Sequence, residues 1–245
     1  MLSSVLQPIN SIPVGQHPYI IRLLKGIFNS RPPVVNLLPE WQLPLVLKLI
    51  QRPPFEPLEL APLKYLTWKA LFLVAITTFR RASDIQALRL GEGKVSIQKR
   101  GITFIREGLS KSDRPKHVCP KIFVPSFSQN KLLDPTRVLK CYLKRTKKFR
   151  NFGQEHRKCN LFLSFIEPHR PVSSQTISKW LVRIIKLAYE DSSLKVKGHS
   201  TRAIGPSWAL FNGASMKSIL EAADWSKEST FTRFYLKEID VSVLK

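Results

Sequence analysis

The sequence predicts a mainly α-helical chain carrying a small antiparallel β-sheet, an α+β class. Three observations lead there. Apolar residues recur at helical spacing in both the first and the last third of the chain. Between residues 94 and 124 the period shortens to that of strands. A hydrophobic content of 43% over 245 residues is enough for a sizeable core.

Taken in order, residues 1–16 are punctuated by Pro and Ser and read as irregular. Ile20, Ile21, Leu23, Leu24 and Ile27 mark a short helix from Tyr19 to Phe28, broken by Arg31-Pro32-Pro33. It reads as the end of a preceding helical domain or as an arm awaiting another surface. Residues 1–36 are therefore set apart from a main domain over 37–245. Trp41 to Ile50 repeats Leu45, Leu47, Leu49 and Ile50 at helical spacing, and Pro53, Pro54, Pro57 and Pro62 make a turn-rich spacer. Leu63 to Phe79 is strongly apolar but is interrupted by Lys64 and Lys69, so it predicts a buried central helix and not a membrane span. Ala82 to Leu90 follows as a short helix.

Lys94–Gln98 and Ile102–Arg106 flank Lys99-Arg100-Gly101 as a hairpin, with Lys121–Val124 as a third strand. Asp134-Pro135 is an N-cap followed by Pro at the first helical position, opening a helix through Val138, Leu139, Tyr142 and Leu143 into the basic run 144–150. Leu161–Phe165 is expected to be a short strand. Ser173 or Ser174 caps a helix whose buried stripe is Ile177, Trp180, Leu181, Ile184, Ile185 and Ala188. Helices over Ser200–Phe211, Ser215–Ala223 and Ser229–Leu236 complete the chain.

Charge narrows the function. Forty Lys and Arg against seventeen Asp and Glu give +23, an excess that repels itself unless a polyanion screens it. Nucleic acid is the expected partner, its phosphates dominating affinity. No apolar stretch reaches the roughly 18 residues a membrane span needs, so no membrane role is expected. Met1-Leu2-Ser3-Ser4 opens no secretory signal, and Cys119, Cys141 and Cys159 are too widely spaced for a zinc site or a disulfide framework. A reduced intracellular compartment is the corresponding expectation. No metal or other cofactor is expected.

The chemistry-bearing residues lie mostly in the last third: His199-Ser200-Thr201-Arg202, then Trp225, then Tyr235, with Arg81 far upstream. Phosphodiester cleavage without a metal needs a nucleophile, fixed cations for the non-bridging oxygens and a proton donor for the leaving oxygen. Arginine suits the second task because its planar fork pairs with phosphate oxygens and stays charged. His199 and Arg202 are three apart and share a helix face. Taken singly, each has a plainer explanation: Tyr235 as a core aromatic beside Phe231 and Phe234, Trp225 as packing, the basic runs as solvated faces.

Together these residues resemble the tyrosine recombinase (phage integrase) superfamily. Thr78-Phe79-Arg80-Arg81-Ala82-Ser83-Asp84-Ile85 is similar to that family's arginine motif, with Arg81 in register and Asp84 in place of Glu, although Phe79-Arg80 departs from the usual Gly-Leu. The resemblance covers about residues 40–240 of the sequence and implies the family's catalytic-domain fold. It also implies roles. Tyr235 attacks the scissile phosphate to form a 3′-phosphotyrosyl link, Arg81 and Arg202 hold the phosphate, and His199 assists proton transfer. Trp225 buttresses the pocket, and a lysine protonates the leaving 5′ oxygen. Lys111 in Leu109-Ser110-Lys111-Ser112 is the match for that lysine, with Lys99 and Lys116 as competitors. The resemblance makes the expected partner double-stranded DNA, with Lys144, Arg145, Lys147, Lys148, Lys179 and Arg183 as the expected DNA contacts. Family members generally act as tetramers on DNA and often exchange C-terminal tails, which makes Val241, Val243 and Leu244 an expected assembly element.

Gly15-Gln16-His17-Pro18, Arg31-Pro32-Pro33 and Thr201-Arg202-Ala203 further resemble the DIRS- and Ngaro-like eukaryotic retrotransposon branch, which implies a mobile element and a nuclear location. The family's upstream DNA-clamping domain has no full counterpart in residues 1–36, so the sequence reads as part of a longer polyprotein or as a reduced form. Two rivals remain. One is a type IB topoisomerase, which relaxes supercoils without strand exchange. The other is a domesticated DNA-binding protein that keeps the fold without the reaction.

Overall fold

The computed structural model describes residues 5–32, 39–127, 129–150 and 160–239. The expected domain boundary at 36/37, Cys159 and the tail residues Val241, Val243 and Leu244 lie outside them. The chain divides into two compact units, Met1–Leu37 and Leu38–Lys245. In the first, a 3-10 turn at Val14–Gln16 leads into α1 (Pro18–Ser30). Pro18 sits at the first helical position, where its missing N–H costs nothing. The His17 ring accepts the Tyr19 N–H at 3.4 Å, and no residue of α1 is buried.

The second unit is built around α3 (Leu63–Thr78), buried continuously from Leu66 to Ile76. A helix that is apolar on every face belongs in the middle of a fold, and α3 packs on α5 (Pro135–Thr146), α6 (Ser174–Tyr189), α7 (Thr201–Phe211) and β3 (Lys121–Pro125). Lys69 is the exception inside it. Its ammonium is fully buried, bonded to the Ile50 carbonyl at 2.7 Å and to Glu56, which Arg137 also grips at 2.9 Å. A buried cation persists only when paired in this way, and the pairing ties the Pro-rich spacer after α2 (Leu43–Leu49) to α3 and α5.

The sheet has order β1-β2-β3, with β1 (Val95–Gln98) and β2 (Gly101–Ile105) joined by the two-residue turn Lys99-Arg100. Antiparallel register pairs Gln98 with Gly101, and Ile102 with Val124. Ile102, Phe104, Ile122 and Val124 alternate onto the core face and are buried. Asp134 caps α5 by accepting the Thr136 N–H at 2.9 Å, and Ser173 caps α6 by accepting that of Thr176 at 3.2 Å. The α6 stripe Ile177, Trp180, Leu181, Ile184 and Ile185 is buried, and Ala188 is half-buried. No helix of the described residues is long and apolar enough to cross a membrane.

Three expectations are corrected. The helix expected over Ala82–Leu90 stops early: α4 is Ala82–Gln86, because Leu88 and Arg89 form single bridges with Arg106 and Asn160. Leu161–Phe165 is not a strand. Its backbone groups go to scattered partners and form no ladder: Arg150 donates to the Leu161 carbonyl at 2.7 Å, the Leu163 N–H donates to the Tyr142 hydroxyl at 2.9 Å, and the Leu161 and Ser164 N–H groups donate singly to the Leu88 and Arg170 carbonyls at 2.9 and 2.8 Å. The helix expected to run through residue 150 ends at Thr146 and continues as a 3-10 turn over Lys147–Phe149, which leaves Arg150 buried.

Candidate active site

Arg202 lies at the centre of the site. Gly205, one turn further along α7, makes this position possible: a Cβ there would sit 2.8 Å from the Ile76 carbonyl oxygen and 3.1 Å from the Phe79 ring. Its absence lets α7 approach the C-terminal end of α3. Arg202, 1% exposed, then donates from Nη1 to the Phe79 carbonyl at 2.8 Å and from Nη2 to the Ala223 carbonyl at 2.9 Å. Phe79 closes α3 and Ala223 is the last residue of α8 (Met216–Ala223), and both helices turn off through left-handed residues, Phe79 and Asp224. Carbonyls left unpaired at helix C-termini carry partial negative charge and favour a cation. Two helix ends therefore hold the fork rigidly. Burial, then the like charge of Arg81, push the Arg202 pKa down to about 10, so it remains protonated at neutral pH.

Arg81 enters from the N-terminus of α4. The Asp84 side chain accepts the Arg81 backbone N–H at 3.2 Å, in the manner of a capping box, and this fixes where the arginine starts. Its Nη1 donates to the Ser112 hydroxyl at 2.9 Å, on the loop between β2 and β3. Lys111, on the same loop, lines a cleft of about 230 Å³ with Arg81, Ser112, Arg114, His117, Asp224 and Trp225. The competing lysines fall elsewhere. Lys99 is at the hairpin turn, the opposite end of β2 from this loop, and Lys116 is exposed in a turn closed by Arg114 and His117.

His199 sits in a 3-10 turn, Gly198–Ser200, immediately before α7. A Cβ on Gly198 would lie 2.8 Å from the Ser178 carbonyl, so glycine allows this turn to rest on α6. The Trp41 indole holds it from the other side, donating to the Ser200 hydroxyl at 2.7 Å. The His199 Nε2 lies 3.3 Å from the Tyr235 hydroxyl. Partial loss of water, then the charges on Arg202, Arg81 and Lys111, hold the His199 pKa below the usual imidazole value. The ring is therefore neutral at pH 7 and able to accept a proton.

Tyr235 follows α9 (Glu228–Phe234), its N–H on the Phe231 carbonyl at 2.9 Å. Ser207 of α7 anchors the next turn, accepting the Lys237 N–H at 2.9 Å. Trp225 stacks on the Tyr235 ring with centroids 4.7 Å apart and on Phe231 at 5.5 Å, while the Arg202 guanidinium lies over the indole at 4.8 Å. The Trp225 Nε1 is buried and has no partner among the described residues. A buried donor left unmet is costly, and an oxygen of a bound ligand in the adjoining cleft would meet it.

The site thus gathers Arg81, Lys111, His199, Arg202, Trp225 and Tyr235 from separate stretches of chain. It concentrates cations beside one phenol, an arrangement suited to a phosphate and to charge building up on its oxygens. Among the described residues no group of three or more His, Cys, Asp or Glu side chains is placed to hold a metal ion. The expected DNA contacts divide. Lys144, Lys147, Lys148, Lys179 and Arg183 are exposed, whereas Arg145 donates to the Leu58 and Ala61 carbonyls at 3.0 and 2.5 Å and is occupied in holding the spacer. Sequence reasoning gave Ser112, His117 and Asp224 no place in the site. Arg80, adjacent to Arg81, is 4% exposed and points away to Asp224.

No family model and no curated protein matches the chain by sequence. Solved structures do match by shape. A Tn1549 transposon integrase in complex with transposon right end DNA aligns with TM-score 0.57 at 14% identity, over 89% of this chain and 68% of that one. An XerH site-specific recombinase bound to palindromic difH substrate gives TM-score 0.55 at 15% identity, over 82% and 51%. An XerA recombinase gives 0.53 at 15% identity, over 89% and 66%. The chain spans about half to two thirds of the length of these proteins.

Proposed function

We propose, for a chain that carries the tyrosine recombinase catalytic-domain fold, that it cleaves and rejoins DNA strands through a 3′-phosphotyrosyl intermediate. The observation that carries the reading is the Tyr235 hydroxyl, 3.3 Å from His199 and stacked on Trp225, beside the Arg202 guanidinium. In the forward step the Tyr235 oxygen attacks phosphorus, forming the P–O(Tyr) bond as the P–O5′ bond breaks. The phenol proton passes to neutral His199. Lys111 gives a proton to the departing 5′ oxygen. Arg81 and Arg202 neutralise the two non-bridging oxygens, and the Trp225 N–H is free to donate to one of them. Ligation is the reverse attack by a 5′-hydroxyl, so the bond energy is conserved and no nucleotide is consumed.

One tyrosine cuts one strand. Exchange between two duplexes breaks four strands, which calls for four copies on DNA. Recombination for a mobile element, in the nucleus of a eukaryotic host, is the wider reading. The motif resemblances support it, and the transposon integrase among the structural matches is consistent with it. The test is a covalent protein–DNA adduct formed in EDTA on nicked or supercoiled DNA and resolved under denaturing conditions. Wild type forms the band, and Tyr235→Phe binds DNA equally but forms none. An adduct that survives in Tyr235→Phe, or DNA binding without any adduct in wild type, defeats the proposal, the second outcome favouring a non-catalytic DNA-binding role. Supercoil relaxation without strand exchange would point instead to a topoisomerase.

A further inference from the structure

The loop between β2 and β3, residues 106–120, carries Lys111 and Ser112 to the cleft and is held at two places. On its inner side the buried Arg106 side chain reaches the Gly108 carbonyl and the Asp113 carboxylate, and the Asp113 Oδ2 also accepts the Ser110 N–H at 2.9 Å. On its outer side Arg114 and His117 exchange backbone hydrogen bonds of 2.8 Å in a tight turn. The His117 ring then crosses to the turn between α8 and α9, its Nε2 lying 2.8 Å from the Asp224 Oδ1.

Asp224 is well placed to be an anchor. Its side chain is 2% exposed, its backbone is left-handed with φ 57°, and it directly precedes Trp225. Its charge is matched by Arg80 Nη1 at 3.2 Å, and Arg80 also approaches the Cys119 sulfur and the Lys121 carbonyl at 3.5 Å. The segment after α3, the Lys111 loop and the turn that presents Trp225 thus meet on one buried carboxylate. The His117 side chain is 42% exposed, so it adds little to the core, and its main contribution is one short bond.

We propose that His117 is a positioning residue for Lys111. Through Asp224 it latches the 106–120 loop to the α8–α9 turn and sets the distance from Lys111 to the leaving 5′ oxygen. This rests on the reading of Lys111 as the proton donor. His117 itself touches no reacting atom.

The test compares cleavage of ordinary DNA with cleavage of DNA carrying a bridging 5′-phosphorothiolate. The sulfur of the latter departs as a thiolate, a far weaker base than the alkoxide of ordinary DNA, and needs no proton donor. His117→Ala is expected to slow cleavage of ordinary DNA about 10- to 100-fold, the scale of an ångström-sized misplacement, and to cleave the sulfur substrate at the wild-type rate. His117→Gln, whose amide can donate to the same oxygen, restores most of the loss. Equal slowing on both substrates, or wild-type rates on both, overturns the proposal. Amide hydrogen exchange over residues 108–117 decides the latch independently of catalysis: His117→Ala accelerates it, His117→Gln restores it, and unchanged exchange refutes the latch. Wild type that cleaves neither substrate would defeat the functional reading alone, and the exchange result would still decide the latch.

Discussion

Arg80 and Asp224 form a buried charge pair, and a double-mutant cycle measures how strongly each depends on the other. The side chains are 3% and 2% exposed and their atoms approach to 3.2 Å. The contact is ionic and not an aligned hydrogen bond, since the Asp224 Oδ2 has no hydrogen-bond partner among the described residues. Removing one member of a buried pair costs about 3–5 kcal/mol, because the other is left uncompensated in a low dielectric. The poor alignment, and the His117 ring that stays 2.8 Å from the Asp224 Oδ1, place Arg80→Leu near the lower end, about 3 kcal/mol.

Asp224→Gly has the same consequence for Arg80. Relief of the left-handed backbone, worth about 1 kcal/mol, is offset by the greater chain entropy of glycine, so about 3 kcal/mol is again expected. The double substitution leaves no orphan charge, and replacing such a pair with apolar groups is often neutral. It should therefore cost less than either single change, a coupling of about 3 kcal/mol or more. Urea unfolding of the four proteins reads this directly, provided the slope m is common to all. A double variant whose loss equals the sum of the two single losses would refute the argument. So would a neutral Arg80→Leu.

Two further outcomes follow from the site. Arg202→Lys keeps the charge but cannot bond the Phe79 and Ala223 carbonyls together, and it presents no fork to phosphate. Covalent-adduct formation should fall about 10²- to 10³-fold with non-specific DNA affinity nearly unchanged, and an adduct rate within the wild-type range would count against the clamp. For His199, the lowered pKa means that the folded state prefers the neutral ring. Its contribution to stability is fully present above the ordinary imidazole pKa of about 6.5 and is lost as pH falls through the folded-state value. Phosphate bound among Arg81, Lys111 and Arg202 would cancel their repulsion and raise that value. An NMR titration of the imidazole with and without DNA checks both signs, and a free-protein pKa at or above the ordinary value would contradict them.

Much of the fold was legible because its signals are local. The all-round apolar run of α3, the Asp134-Pro135 start of α5, the stripe of α6 and the alternation in β2 and β3 each depend on neighbours in sequence, and each forms as expected. The expectations that failed did so where distant groups compete for the backbone. Arg150 and Tyr142 take the Leu161 carbonyl and the Leu163 N–H, and Leu88 and Val172 each make one backbone bond there, so no continuous ladder forms. Bridges to Arg106 and Asn160 end α4 before Leu88.

The same division runs through the site. Residue type and order marked two arginines, a histidine and a tyrosine as groups that phosphodiester chemistry needs, and the resemblance of their motifs to the tyrosine recombinase family joined Arg81, His199, Arg202, Trp225 and Tyr235 into a set. Which of Lys99, Lys111 and Lys116 lines the cleft depends on the course of a loop, and Lys111 is the one that lies there beside Arg81 and Ser112. Arg80 and Arg81 are adjacent and chemically alike. One is turned toward Ser112 and the other toward Asp224 by the left-handed Phe79 and the α4 cap that follows. Asp224 and His117 carried no sequence signal at all, since 107 residues separate them. A hydrogen bond between groups so far apart is a property of packing and cannot be read from either neighbourhood.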